Sequence, residues 1–317
     1  MAAELLKRLF LSEIQPKLYP GNSWLGRSIN DDAFVNNNTV ELPHAGTDPN
    51  VVIDRVQLPA TINKRTDAAT NYQLEELTTD PTHIGDSEAL IVAYNKRASI
   101  LDQHAQVQRV KMATRALYKW GAGANSTRIV ASTGSNRAAG GSTNGQFSPG
   151  GTAVAQTGNR KAFTENDIIG MQKFFYADDI ITDIEPVNGV AIITPSQYSD
   201  LIKIDNFKRA DAYGVSNIPS GVVKRAYGFD FYVRSKVLAL NSSDVLLGEG
   251  VTGATDSQDC AIFYSPQYVR RAIGAIKTYV NQGEATMYGD ILSTMVRFGG
   301  APARNDNKGV YLLFEDN

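Results

Sequence analysis

Three histidines and one cysteine set the limits on the chemistry open to this chain of 317 residues. His44 and His83 fall in turn-rich segments and His104 in a helical stretch. None has a second histidine three or four residues away, so the spacing of a helix-borne zinc pair is absent. Scattered surface histidines are the plain reading. Cys260 opens a strand-like run (Cys260-Ala261-Ile262-Phe263-Tyr264), where a buried, inert thiol is expected. A lone cysteine cannot close an internal disulfide, which suits a reducing compartment. Asp178, Asp179 and Asp183 could meet a cation, but acidic residues at a helix end are ordinarily solvated. The Gly134–Gly145 run lacks the Gly-Lys-Ser/Thr ending and the following helix of a phosphate loop. No Gly-x-Ser-x-Gly elbow marks a serine nucleophile. The expectation is therefore no catalytic residue, no metal and no cofactor: not an enzyme.

Two charged groups remain. Lys64 and Arg65 stand beside Asp67 in an extended segment, and Arg270-Arg271 precede a strand. In a monomer these are solvated charges of little energetic value. In an assembly they would meet a partner's carboxylates and set register more than affinity. All five are candidate inter-subunit contacts.

The segment carrying the first group is unusual. From Val35 to His83 the chain is mostly polar, with short apolar bursts (Val40-Glu41-Leu42, Val51-Val52-Ile53, Tyr72-Gln73-Leu74) between turn signals. Ordering about 40 residues costs roughly 1–2 kcal/mol each, while burial returns only about 25 cal/mol per Å2. A two-stranded excursion is marginal alone. Either the rest of the chain or a neighbouring copy must hold it.

Composition fits an ordinary globular protein: 42% hydrophobic, 20% charged, net charge −2. No global basic field draws it to nucleic acid or anionic lipid. No apolar run reaches the ~20 residues of a membrane span. The first ten residues read as a short amphipathic helix and not as a secretory signal.

After a strand-like run at Leu90–Ala93, the spacing predicts a long helix from Asn95 to Trp120. Its apolar face is Ile100, Val107, Val110, Ala113, Leu117 and Trp120. Gly121 and Gly123 stop it. A Gly/Ser/Asn-rich stretch, 121–158, contains one strand candidate, Ile129-Val130-Ala131. A loop of that length is usually functional or mobile. Thr164 caps a second helix with Ile168, Met171, Phe174 and Phe175 on its apolar face. A buried strand (Gly189–Ile193) leads to a helix opened by Thr194-Pro195-Ser196. Strands follow at Phe229–Arg234 and Val245–Leu247. The end reads as antiparallel sheet: Ala261–Tyr264, Ile276–Gln282, Ile291–Phe298 and Val310–Phe314, with turns at Gly289-Asp290 and Asn307-Lys308-Gly309.

This order resembles the major capsid proteins of tailed bacteriophages, the HK97-like fold, over essentially the whole chain. Val40–Gly46 is similar to the start of that family's extended loop and Tyr72–Ile84 to its return. Ile129–Gly134 and Arg160–Thr164 resemble the segments before the second peripheral helix. Met287–Asp290, Arg297–Gly300 and Arg304–Val310 resemble the closing strands. The specificity lies in their order, since none is an invariant motif.

The resemblance implies an α+β capsid fold: N-terminal arm (1–33), extended β-hairpin loop or E-loop (34–85), peripheral domain with spine helix and Gly-rich connector (86–187), axial domain (188–260) and C-terminal strands returning to the peripheral domain (261–317). It implies self-assembly into pentameric and hexameric capsomers of an icosahedral shell around double-stranded DNA. Expected partners are a separate scaffolding protein, a portal, minor or decoration proteins and the packaged DNA, with no membrane. Assembly would take place in the host cytoplasm and the product would be the virion. Some relatives crosslink Lys to Asn, but no motif here fixes such a pair. Two alternatives stay open: an encapsulin-like nanocompartment shell, and a soluble α/β enzyme with Gly-rich active-site loops.

Overall fold

The computed structural model describes residues 24–36, 38–44, 52–56, 59, 62, 68–85, 96–124, 127–135, 161–178, 180, 188–204, 225–235, 237–241, 243, 245–249, 258–284, 286–304 and 306–315. Along the chain run β1 (Ile29–Asn30), β2 (Val35–Asn36), β3 (Thr39–His44), β4 (Ala68–Gln73), β5 (Glu75–Thr78) and β6 (Thr82–Gly85). Then come α1 (Lys96–Gly121), β7 (Ile129–Ala131), α2 (Glu165–Ala177), β8 (Gly189–Ile193) and α3 (Pro195–Lys203). The remainder is strand: β9 (Arg225–Ala226), β10 (Phe229–Val233), β11 (Leu238–Leu240), β12 (Gln258–Tyr264), β13 (Val269–Glu284), β14 (Gly289–Pro302) and β15 (Val310–Phe314).

Three sheets result. One has the order β1-β13-β14-β5, with β6 further along β14. A mixed sheet has the order β7-β15-β12-β8-β10-β9, with β11 on β12. A small antiparallel sheet, β2-β3-β4, is the extended hairpin. The expectation of one C-terminal antiparallel sheet is therefore corrected. β13 and β14 pair with each other in the first sheet, while β12 and β15 pair in the mixed one. Tandem strands need not share a sheet when a turn such as Ser265–Tyr268 redirects the chain between them.

Strict alternation explains how the mixed sheet is buried on both faces. Val190, Ile192, Cys260, Ile262, Tyr264, Val310, Leu312 and Phe314 point to the core shared with α1. Ala191, Ile193, Ala261, Phe263, Tyr311 and Leu313 point to a second core with Ile168, Met171, Phe175 and Leu201. α1 thus lies between this sheet and the first one, whose Leu292, Val296 and Phe298 meet it. Residues 86–187 contribute to both cores, α1 to the first and α2 to the second.

α1 spans 26 residues, about 39 Å. Its buried stripe is Leu101, His104, Ala105, Gln108, Met112, Ala116 and Trp120, joined by Ile100, Ala113 and Leu117. Val107 and Val110, expected on the apolar face, are 63% and 52% exposed. Small residues won those places: a Cβ on Gly300 would lie 3.8 Å from the Ala116 Cα, so helix and sheet approach closely there. Trp120 locks the far end. Its indole N–H donates to the Arg270 carbonyl at 2.9 Å, and its ring packs on Trp24 and Tyr264 at 5.7 and 5.1 Å.

The helix caps match expectation. Thr164 and Asp167 form a capping box on α2, and Thr194 with Gln197 does the same on α3, where Pro195 occupies the first turn. Gly289 and Asp290 are not a turn but the start of β14, the turn lying at Thr286–Tyr288. Val245–Leu247 forms no strand of its own and hydrogen-bonds back onto β11 and Asn241. The Leu90–Ala93 strand and most of the Gly-rich stretch lie outside the described residues.

Candidate assembly surface

The extended region is a hairpin with a fixed base. β3 and β4 pair from Thr39–Gln73 to His44–Ala68. Val40, Tyr72 and Leu74 pack with Ala272 and Ala301 on the first sheet. The glycines make this seat: a Cβ on Gly299 or Gly274 would come within 2.6 or 2.8 Å of the Leu74 side chain.

Polar contacts pin the same place. Asp31 is 1% exposed and accepts from the Tyr72 hydroxyl (2.9 Å) and from Arg270 Nη1 (2.8 Å). Burial and the adjacent Asp31 carboxylate push the Tyr72 phenol well above its ordinary range, so it stays a donor. The Asp31 N–H donates to the Arg271 carbonyl, and the Ile273 N–H to Asp32 Oδ1. Arg297 reaches Asn38, which has φ 74°, and Glu76.

The return limb is zipped to the body. β5 pairs antiparallel with β14 (Glu75–Phe298 to Thr78–Met295), and β6 continues it (Thr82–Leu292 to Gly85–Gly289). A Cβ on Gly289 would sit 2.1 Å from the Ile84 carbonyl, so only glycine permits this pairing. Arg115 on α1 grips Glu75 with Nε and Nη2 at 2.5 and 2.6 Å, and Lys119 adds a bond of 2.8 Å. Those cations hold the Glu75 carboxyl down at about 2. Arg115 and Lys111 also reach Glu249.

The loop between β3 and β4 differs. Of its described residues, Ile53, Val56 and Ile62 are 85%, 94% and 95% exposed. Among the described residues nothing covers these branched aliphatic side chains. Each is worth about 1.5–3 kcal/mol if buried elsewhere.

The sequence candidates separate accordingly. Lys64, Arg65 and Asp67 lie in this loop but outside the described residues. Arg270 is engaged within the chain by Asp31, and Arg271 is buried in β13. His83 is exposed on β6, and His44 ends β3 and not a turn. His104 departs from the surface reading: it is buried against Thr79 and Thr82. Its signal was position, one turn from Leu101 and Gln108 on the buried stripe. Asp178 anchors Arg128 at 2.5 Å and accepts from Tyr311, while Asp179 and Asp183 lie outside the described residues. Burial pushes the Cys260 thiol well up. Among the described residues no cluster of His, Cys, Asp and Glu could hold a metal ion, and no helix is long and apolar enough to cross a membrane.

No protein-family model matches the chain, and no curated protein matches it in sequence. Solved structures do match. The capsid of cyanophage P-SCSP1u aligns at 14% identity and a TM-score of 0.63, covering 92% of this chain and 87% of that one. The mature capsid of bacteriophage PhiM1 aligns at 11% and 0.59, covering 94% and 89%. A virus-like particle from Pyrococcus furiosus aligns at 8% and 0.52, covering 97% and 99%. The chain has the HK97-like fold of tailed-phage capsid subunits.

Proposed function

We propose that this chain is the major capsid protein of a tailed-phage head, a structural subunit that builds a closed shell from copies of itself. The observation that carries this reading is the hairpin: its base is fastened to the body, while Ile53, Val56 and Ile62 are exposed, with no cover among the described residues. A neighbouring copy would bury them, so ordering and association are coupled. Lys64, Arg65 and Asp67 in the same loop would fix register against the neighbour. Pentamers and hexamers around double-stranded DNA are the expected arrangement, with a scaffolding protein and portal as helpers. The division into arm (1–33), E-loop (34–85), peripheral (86–187), axial (188–260) and returning C-terminal strands (261–317) belongs to the same proposal. Contacts of Arg270 with Asp31 fit a role in setting the hairpin's angle.

A second reading, a nanocompartment shell, is favoured by the near-complete mutual coverage with the Pyrococcus furiosus particle. Negative-stain microscopy of purified full-length protein tests both. Shells or capsomers are the expected product, and a discrete compact monomer at all concentrations would refute shell building. Co-purified nucleic acid or a co-purified enzyme separates head from compartment.

A further inference from the structure

Where α1 meets the junction between β5 and β6, away from the Arg115–Glu75–Lys119 ion pairs, one buried titratable side chain faces two hydroxyls. His104 is 7% exposed. Its Nδ1 lies 2.8 Å from Thr79 Oγ1 and its Nε2 lies 2.9 Å from Thr82 Oγ1, so one imidazole bridges the junction between β5 and β6. Thr79 Oγ1 also accepts from the Thr294 N–H at 3.0 Å, tying the cluster to β14. The limb's amides around this junction reach β14 through Thr79 N–H to the Thr294 carbonyl at 2.9 Å.

Neutral imidazole suits this site, offering one donor and one acceptor to two hydroxyls that can play either part. Imidazolium would find acceptors but no counter-charge among the described residues. On β5, β6 and the residues joining them, Glu76, Asp80 and His83 are exposed, and Glu75 is held by Arg115 and Lys119. On α1, Asp102 and Arg109 lie off the buried stripe. On β13 and β14, Lys277 is exposed and Asp290 and Arg297 are half-buried, Arg297 being turned to Glu76. Gln108, one helical turn on, is buried with neither amide atom hydrogen-bonded, as is the Thr278 hydroxyl. The seam therefore already carries unsatisfied polar atoms and has little to offset an added charge.

We propose that His104 is a protonation-controlled clamp, holding the hairpin's return limb on the spine helix when neutral and releasing the Thr79–Thr82 junction when charged. Burial pulls its basicity below the ordinary histidine range, which gives the sign. Opened chain binds the proton more readily than closed chain, so stability of the junction is full above about pH 6.5 and falls as pH drops toward the folded value.

Hydrogen exchange of the full chain, read by mass spectrometry between pH 7.5 and 5 and corrected for intrinsic rates, tests this. Opening at Glu75–Gly85 should rise by up to about tenfold per pH unit below about 6.5, with β8 unchanged as reference. His104→Gln keeps a donor and an acceptor and should abolish that pH dependence. Should that variant fail to fold, the ring proton of His104 in the wild-type chain, assigned with His44→Gln and His83→Gln, must titrate below 6.5 in step with exchange. A junction whose exchange is flat with pH, or equally pH-dependent in His104→Gln, overturns the proposal, as does a ring titrating at or above 6.5.

Discussion

The two halves of the stretch from Val35 to Gly85 meet opposite fates. The return limb contains Glu75, Glu76, Thr78, Thr79 and Thr82, and its strands β5 and β6 are paired residue by residue to β14. The loop contains Val52, Ile53, Val56 and Ile62, and the described part of it is exposed. Polarity is thus the reverse of what burial in a self-contained monomer demands. Backbone pairing and ion pairs secure the largely polar half, with Ile84 and Leu77 as its apolar anchors in the core shared with α1. The apolar half leaves its described aliphatic side chains exposed.

Breaking the secure half should give the largest effect. Gly289→Ala drives a methyl into the Ile84 carbonyl, which belongs to the backbone and cannot swing away. A loss of about 2–3 kcal/mol is expected for such overpacking, read as a lower urea midpoint with an unchanged slope. An unaltered midpoint would mean β6 is not zipped as described.

Next comes Glu75→Gln. It removes the carboxylate charge that pairs with Arg115 and Lys119, leaving Glu249 as the remaining carboxylate on Arg115. Because Glu75 is about a third exposed, solvent screening limits the cost to about 1 kcal/mol. The pH dependence is sharper evidence. The carboxyl is held at about 2 against an ordinary 4.5, so its contribution is full above pH 4.5 and is lost as pH falls toward 2. Acid unfolding of wild type and Glu75→Gln should converge across that window.

The smallest effect on the isolated chain belongs to the loop. Val56→Asp alone should shift folding stability by no more than about 0.5 kcal/mol, as for an ordinary surface position. A larger loss, measured by the same melt, would show that the chain covers its own loop.

Much of the framework was legible in the sequence, for physical reasons that vary by element. α2 and α3 announce themselves because Thr164, Asp167, Thr194, Pro195 and Gln197 are local capping signals. β8 is legible because a strand buried on both faces is a continuous apolar run. Apolar spacing marks α1 as a helix but not the face it buries. Spacing alone favoured Val107 and Val110, whereas close packing chose Ala105, Ala116, His104 and Gln108. The pairing of β5 and β6 with β14 spans more than two hundred residues of sequence, so no local pattern could reveal it. Hence the sequence leaves open whether the chain itself or a neighbouring copy holds the extended stretch, and the return limb is held by the chain itself.

A shell of this kind requires a sister molecule to bury the exposed aliphatic side chains of the loop. The most direct test of that requirement is particle formation by an Ile53→Asp, Val56→Asp, Ile62→Asp triple variant, followed by negative-stain microscopy beside the wild type. The expected result is a chain with wild-type melting that no longer forms shells. Shells of wild-type yield and size from the variant would contradict it.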